Sequence, residues 1–545
     1  MLEAVAFLCG AAVMILEMTG SRIMAPYLGA SVLVWTALIG VILAFLSVGY
    51  WLGGKLADRT PDPKRLAAII LGAAFSVLFI GLFHTGVLSL IVAAGFRPEM
   101  GAIFATIFLF GPASLLLGMV SPYTVRVALQ LRKTPVEHSG SVIGRFSALS
   151  AIGSILGTFL GGYFFVSWIG SRLTIYMVAS VLMSVSILAF MTGGLKIGKN
   201  KRLFLMPLLG LVACLVFGGM QKIWELAEFK AGVIKVDTRY SRLEIRDVRE
   251  PGGRILRELH TPPSLVQSGM YLDSPTELAL SYTRKFALAW QLKPGSERFL
   301  MLGGAGYSIP KYLLRTRDKI RLDVVEIDPE VTELARRLFA LKDDPRLTIH
   351  HEDARIYLNR YATSRTLNSS VVHPMAGGGI GDAPGYDIIM GDTFSSVYNI
   401  PFQMSTVECA QSIYTSLDDD GLFISNIISS VTGEKSELLR SIRASFEQVF
   451  PDVRVYPSLS AQHSGQVQNV MLVAFKQKQE LPGPDELRRR GLAPELADWP
   501  FQAREELNQA AALLENEWHI RLAGDLPPLY DDFAPVERYA LPLMY

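Results

Sequence analysis

The stretch FLMLGGAGYSIP, residues 299–310, runs four apolar residues into Gly303-Gly304-Ala305-Gly306 and on into a helix start. A strand that empties into a glycine turn and a helix lets a ligand lie against backbone and a helix N-terminus. Downstream the same rhythm repeats. LDVVEI leads into DPEVTELARRLFA, LTIHHED into a short helix, YDIIMGD into a helix near 403–417 and GLFISNII into one near 434–449, with VRVYP and NVMLVAF closing the series. Strand–helix alternation of this length predicts a parallel sheet with helices on both faces, a Rossmann-like α/β fold. In such a sheet the ligand lies beyond the carboxyl ends of the strands.

Those ends carry a pattern. The first strand ends in Gly303, Gly304, Ala305 and Gly306, and the second in Glu326, with Asp328 two residues on. The third ends in Asp353 and Ala354, and the fourth in Asp392. A carboxylate at 326 can accept hydrogen bonds from both hydroxyls of a ribose. An acid at 353 can take the exocyclic amine of adenine, and Asp392 would face the reacting part of the ligand. Ile309 holds the last place of G-x-G-x-x-G, so the dinucleotide fingerprint is incomplete. An adenosyl sulfonium donor therefore fits better than NAD.

Upstream, residues 233–260 alternate and turn like a small antiparallel sheet. Before that the composition changes. Half of the 545 residues are hydrophobic, and most of the excess lies before residue 220. Seven nearly uncharged segments near 2–20, 32–54, 66–92, 101–121, 146–168, 173–193 and 203–220 approach the ~20 residues that a helix needs to cross a bilayer. The expected organisation is a polytopic α-helical membrane domain (1–222), a small β-rich subdomain (223–298) and the Rossmann-like domain with a helical extension (299–545). The small residues of GSILGTFLGG (153–162) suit close helix packing in lipid. Glu17 is the one acid within a span, where an interfacial pairing with Arg22 competes with a functional role.

Lys55, Arg59, Lys64 and Arg65 follow span two, Arg126, Arg132, Lys133 and Arg145 follow span four, and Lys196, Lys199, Lys201 and Arg202 follow span six. The other loops hold little beyond Arg22, Arg97 and Arg172. The charge rule then puts the N-terminus in the cytoplasm and, with seven spans, the soluble half outside. A net charge of +2 gives no case for nucleic acid. Cys9, Cys214 and Cys409 have no partner at metal-ligand spacing and read as buried hydrophobes, and no metal site is expected. His350-His351 reads as a strand edge, residues 375–385 as a loop, and 480–524 as helical and charged.

MLGGAGYS, VVEIDPEV, DPRLTIHHEDARIYL and YDIIMGDTFSS stand in the order seen in spermidine synthases, the polyamine aminopropyltransferases, which this chain resembles over roughly 233–475. EMTGSRIMAPYLG, GYWLGGKLADR and the closing LYDDFAPVE (529–537) resemble the multi-span proteins fused to such domains in bacteria. The resemblance implies that Glu326 binds ribose, that Asp353 and Ala354 meet adenine, and that Asp392 accepts a proton from the attacking amine. Where such enzymes carry an aspartate for the aminopropyl tail, this chain has Gly306. Their Tyr-Gln reads Tyr240-Ser241, their Tyr-His-Glu reads Tyr282-Thr283-Arg284, and the second acid of D-x-x-D is Ser395. Asp531 and Asp532 are candidates to replace the lost acids.

Three readings follow. The first is a membrane-bound aminopropyltransferase that uses decarboxylated S-adenosylmethionine and releases methylthioadenosine. The second is a methyl- or alkyltransferase using S-adenosylmethionine itself on another acceptor, since Gly306 leaves room for a carboxylate on the donor. The third is a transporter or sensor, because GGKLADR (53–59) resembles a carrier loop motif. Expected partners are the bilayer, an amine or lipid-associated acceptor, and a second copy of the chain. A cytoplasmic donor places the soluble half in the cytoplasm, which requires a miscounted span, expected within 66–96 where His84 interrupts.

Overall fold

In a computed structural model of the 545-residue chain, the structure describes all residues except 30–31, 97, 133–138, 193–200, 231, 262–264, 369–383, 394–400, 492–500, 518–525 and 545. The fold divides into two compact units. One is Met1–Glu244 with Thr261–Pro263, the other Ile245–His260 with Ser264–Tyr545.

The first unit is built from helices α1 (Leu2–Leu28), α2 (Val32–Arg59), α3 (Pro63–Ala93), α4 (Pro98–Leu109), α5 (Gly111–Arg132), α6 (Ser139–Phe159, continuing as a π-helix over Leu160–Ile169), α7 (Ser171–Thr192) and α8 (Lys201–Lys230). Six of its helical spans are long and apolar enough to cross a membrane, whereas the apolar part of α8, Leu205–Gln221, is shorter. The expected span 101–121 straddles the break between α4 and α5. Pro112, without an N–H, leaves the Phe108 carbonyl without its helical donor there.

Contacts between helices give their directions. A Cβ on Gly153 would sit 2.1 Å from the Phe7 carbonyl oxygen and one on Gly157 2.5 Å from that of Ala11, so α6 runs parallel to α1. The glycine face expected at 153–162 is real at these two positions. Gly49 meets Leu115 and Gly53 meets Met119, so α5 runs parallel to α2. Thr106 reaches Met24 and Gly101 lies against Leu28, so α4 runs against α1 and continues into α5 as one broken pass. The Ser186 hydroxyl donates to the Ala67 carbonyl and that of Tyr176 to Gly81, which sets α7 against α3. Gly210 meets Met183 and Gly218 meets Leu173, which sets α8 against α7. Among the described residues the helical unit thus runs to and fro seven times, six of the runs being long and apolar enough to cross a membrane, and Lys230 lies at the end opposite Met1.

Two expectations need correction here. His84 does not interrupt α3; it is buried, with Nδ1 2.9 Å from the Ile80 carbonyl, and the helix runs through it. Glu17 does not pair with Arg22, whose guanidinium donates to the Arg239 carbonyl. Among the described residues no hydrogen bond or ion pair reaches Glu17, which is 8% exposed. All three cysteines are buried and free.

Strands β1 (Val233–Asp237), β2 (Arg242–Arg249), β3 (Ile255–Thr261) and β4 (Leu265–Tyr271) form a sheet in that order, the last of them beyond the 233–260 stretch read as a sheet but within the β-rich subdomain expected over 223–298. The second unit is organised by β5 (Arg298–Leu302), β6 (Arg321–Val325), β7 (Leu347–His350), β8 (Tyr386–Gly391), β9 (Leu417–Ser429), β10 (Asp452–Pro457) and β11 (Gln468–Phe475). Their order is β10-β11-β9-β8-β5-β6-β7. Strands β5 to β9 pair in parallel, but β11 is antiparallel to both neighbours, because only ten residues join it to β10 and a parallel return needs a longer crossover. Leu300 and Leu302 are buried on one face of β5, Phe299 and Met301 on the other. The helix Phe501–Glu515 lies against β10 and the helices Ser281–Lys285 and Ala287–Leu292, which covers that sheet edge.

Candidate active site

The chain leaves β5 for β6 and β7 on one side and returns to β8 on the other. The crevice at the carboxyl ends of β5 and β8 is therefore a topological switch point, where ligands bind in open α/β sheets. Gly303 sits at φ 95°, and a Cβ there would lie 2.4 Å from the Asp392 carbonyl oxygen. Glycine is required at that position by both conformation and contact. Ala305 (φ 43°) and Tyr307 (φ 53°) also hold left-handed backbone, which costs energy that the surroundings must offset. The Tyr307 ring is buried beneath the turn, and its hydroxyl is 2.7 Å from Thr332 Oγ1, which His351 also reaches at 3.0 Å. His350 lies 3.1 Å from Asp323 on β6, so one histidine is tied to the sheet and the other to the helix Pro329–Leu338.

Glu326 already has work to do. Its Oε2 accepts from the N–H groups of Gly304 (2.8 Å) and Ala305 (3.2 Å), and its Oε1 from that of Asp328 (3.0 Å). Burial raises its pKa, and these three N–H groups oppose the rise. The carboxylate clamps the glycine turn, with lone pairs left for a ligand hydroxyl. Glu326→Gln would set an amide NH2 against at least one of these donors. It is expected to cost about 1–3 kcal/mol of stability, read as a lower denaturation midpoint.

Asp353 is shared in the same way. Its Oδ1 caps the helix Ala354–Asn368 by accepting from Arg355 N (2.8 Å) and Ile356 N (3.2 Å), which leaves Oδ2 for a ligand. Asp392 sits at the switch point, where its N–H donates to the Leu302 carbonyl at 2.9 Å. Its packed surroundings push its pKa up to about 7, against the lowering effect of hydrogen bonds from Tyr282 and Asn426. The Tyr282 hydroxyl lies 2.7 Å from the Gln267 carbonyl and 3.2 Å from Asp392 Oδ2. One proton cannot serve both acceptors at once, so the two compete for it. Asn426, on β9, is 3% exposed, and its Oδ1 has no partner among the described residues. The sequence held a signal for it, a lone amide inside the apolar run GLFISNII.

No family model matches the chain. Over 273 residues, 50% of this chain and 79% of the relative, it is 26% identical to the polyamine aminopropyltransferase of Vibrio vulnificus. The soluble unit is spermidine synthase-like. The chain is also 26% identical over 192 residues to the eEF1A lysine and N-terminal methyltransferase of Homo sapiens, covering 34% of this chain and 24% of that one. A probable spermidine synthase from Corynebacterium glutamicum aligns at 19% identity with a TM-score of 0.36, covering 55% of this chain and 90% of its own.

With that likeness in hand, the positions inferred from it separate. Tyr282 meets Asp392, as above. Tyr240 is half exposed in the Thr238–Ser241 turn and belongs to the first unit. Ser395 and residues 375–383 of the expected loop lie outside the described residues. Gly306 does not leave room. A Cβ there would meet Ser268 Oγ at 2.4 Å and the Phe339 ring at 3.3 Å, so the space is filled by a serine from the unforeseen strand β4. Asp531 is not free to cradle an amine, since it is held by Arg355 and Thr406, and Asp532 points to solvent. Asp387, Asp418 and Asp420 bring their oxygens within 4.8 Å of one another near the amino end of β8, but the Lys293 ammonium sits among them, 3.1 Å from Asp387.

Proposed function

We propose that the soluble unit is a transferase that moves an aminopropyl group from decarboxylated S-adenosylmethionine to an amine, with Asp392 as the base. The observation that carries this reading is a carboxyl poised near pH 7 at the switch point, beside an acid clamping the glycine turn and a third acid one strand further on. An amine must be neutral to attack a sulfonium carbon. As its nitrogen forms the new C–N bond, the C–S bond breaks and its electron pair returns to sulfur, giving the neutral thioether methylthioadenosine. The proton lost from nitrogen passes to ionised Asp392, which a base of matched pKa does efficiently. The Tyr282 hydroxyl can then turn to the Gln267 carbonyl. Purified full-length protein in detergent, given the decarboxylated donor and a series of diamines, is expected to release methylthioadenosine; no release with any diamine would reject the reading.

A second reading has a specific support. Among the described residues, the groups nearest a Cβ at Gly306 are a serine hydroxyl and a phenylalanine ring rather than a carboxylate, which favours a tail that no acid selects there. S-adenosylmethionine is then the donor, and calorimetry with both donors separates the two cases. We further propose that the helical unit spans a bilayer and that the soluble unit faces the cytoplasm, where such donors are made.

A further inference from the structure

Arg355, in the first turn of the helix that follows Asp353, is 8% exposed, and its guanidinium donates four hydrogen bonds. Nε donates to Asn359 Oδ1 (3.0 Å), Nη1 to the Gln403 carbonyl (2.9 Å) and to Thr406 Oγ1 (3.1 Å), and Nη2 to Asp531 Oδ2 (2.7 Å). The other Asp531 oxygen accepts from Thr406 Oγ1 at 2.7 Å, so carboxylate, hydroxyl and guanidinium close a ring. Asp531 itself is fixed from behind. Its N–H donates to Glu408 Oε2 (3.0 Å), the Leu529 carbonyl accepts from Val407 N (2.8 Å), and Leu529 N donates to Ser445 Oγ (2.8 Å). Leu529, Val536, Tyr539 and Leu543 anchor this segment in the core of the sheet's outer face.

A nearly buried guanidinium left without its carboxylate is costly, so this turn holds the arginine in one place. That matters for the crevice because Asp353 Oδ1 is tied to the backbone N–H groups of Arg355 and Ile356. Wherever Arg355 goes, the first turn goes, and with it the direction of the free Asp353 oxygen. We propose that Asp531 is a positioning residue for the nucleoside end of the crevice, acting through Arg355 on Asp353. This rests on the reading of Asp353 as the nucleoside contact.

The test uses the full chain with decarboxylated S-adenosylmethionine, S-adenosylmethionine and methylthioadenosine as calorimetric probes, together with hydrogen exchange at the Arg355 and Ile356 amides. Asp531→Asn is expected to weaken each probe that binds the wild type by about tenfold and to speed exchange at those two amides. Transfer at saturating donor should fall less than about twofold, and Asp531→Glu should recover most of the affinity. Arg355→Lys should give the same loss, with the double variant no worse than either single one, as for residues in one network. If Asp531→Asn does not fold, Arg355→Lys decides alone by the same readouts. Wild-type affinity in the folded variants overturns the proposal, as does a loss fully accounted for by a smaller folded fraction. Silence of the wild type toward all three probes would instead reject the nucleoside site, and the proposal with it.

Discussion

Asp392→Asn should lower transfer by about 10²–10⁴-fold, the usual contribution of a general base, while leaving donor affinity within a few-fold. The asparagine keeps the shape and one accepting oxygen but cannot take the proton. In the wild type the rate should rise with pH through about 7 and flatten above it, because the ionised carboxylate is the active form. The same residue makes an opposite prediction for stability. A carboxyl raised from 3.8 to about 7 on folding contributes stability that is whole below the unfolded value and is lost as pH rises through the folded one. Asp392→Asn should therefore melt higher than wild type near pH 8, with the difference vanishing toward about pH 4. Single-turnover rates and melting curves across that range check both halves. A variant that transfers at the wild-type rate would remove Asp392 as the base.

Gly303→Ala should be the most damaging one-carbon change in the soluble unit. A left-handed backbone strains any L side chain by about 1–3 kcal/mol, and here the added carbon also strikes the Asp392 carbonyl. Relief requires β5 and β8 to part at the switch point, which moves the base away from the glycine turn. We expect a loss of at least about 2 kcal/mol together with collapse of transfer. Gly295→Ala, exposed and with nothing within 4 Å of its Cβ, is the control and should stay within about 0.5 kcal/mol of wild type.

The parts of this site legible in the sequence are those whose chemistry is local. A glycine turn after a strand, and acids at successive strand ends, follow from short-range pattern, and they do converge at the ends of β5, β6, β7 and β8. What the sequence could not show is occupancy. Glu326 and Asp353 look like free ligand contacts in a string of letters, yet each already satisfies backbone N–H groups of its own turn. Gly306 suggested empty space because the residue that fills it, Ser268, comes from a strand nearly forty positions earlier. Asp531 suggested a spare acid because its buried partner, Arg355, lies 176 positions away. In the helical unit, hydropathy located the passes but not the break at Phe110, since a helix divided by Gly111-Pro112 remains apolar throughout.

On the proposal that the helical unit spans a bilayer, orientation is decided by whether α8 crosses together with the six longer apolar helices. Arg145 pairs with Glu3 and Arg126 with Asp58, so the basic loops gather at the Met1 end. α3 runs unbroken through His84, so the turn-back expected there is absent, and the crossing that decides the count is α8, whose apolar part Leu205–Gln221 is the shorter one. A reporter fused after Tyr545 that is found in the cytoplasm fits six crossings with the basic loops inside, or seven with Met1 exported against the arginines and lysines beside it. If the reporter is found outside, charge has prevailed, and the crevice faces a compartment into which its sulfonium donor would have to be carried. One fusion therefore decides on which side of the proposed bilayer the crevice lies, and with it which supply of substrate it can draw on.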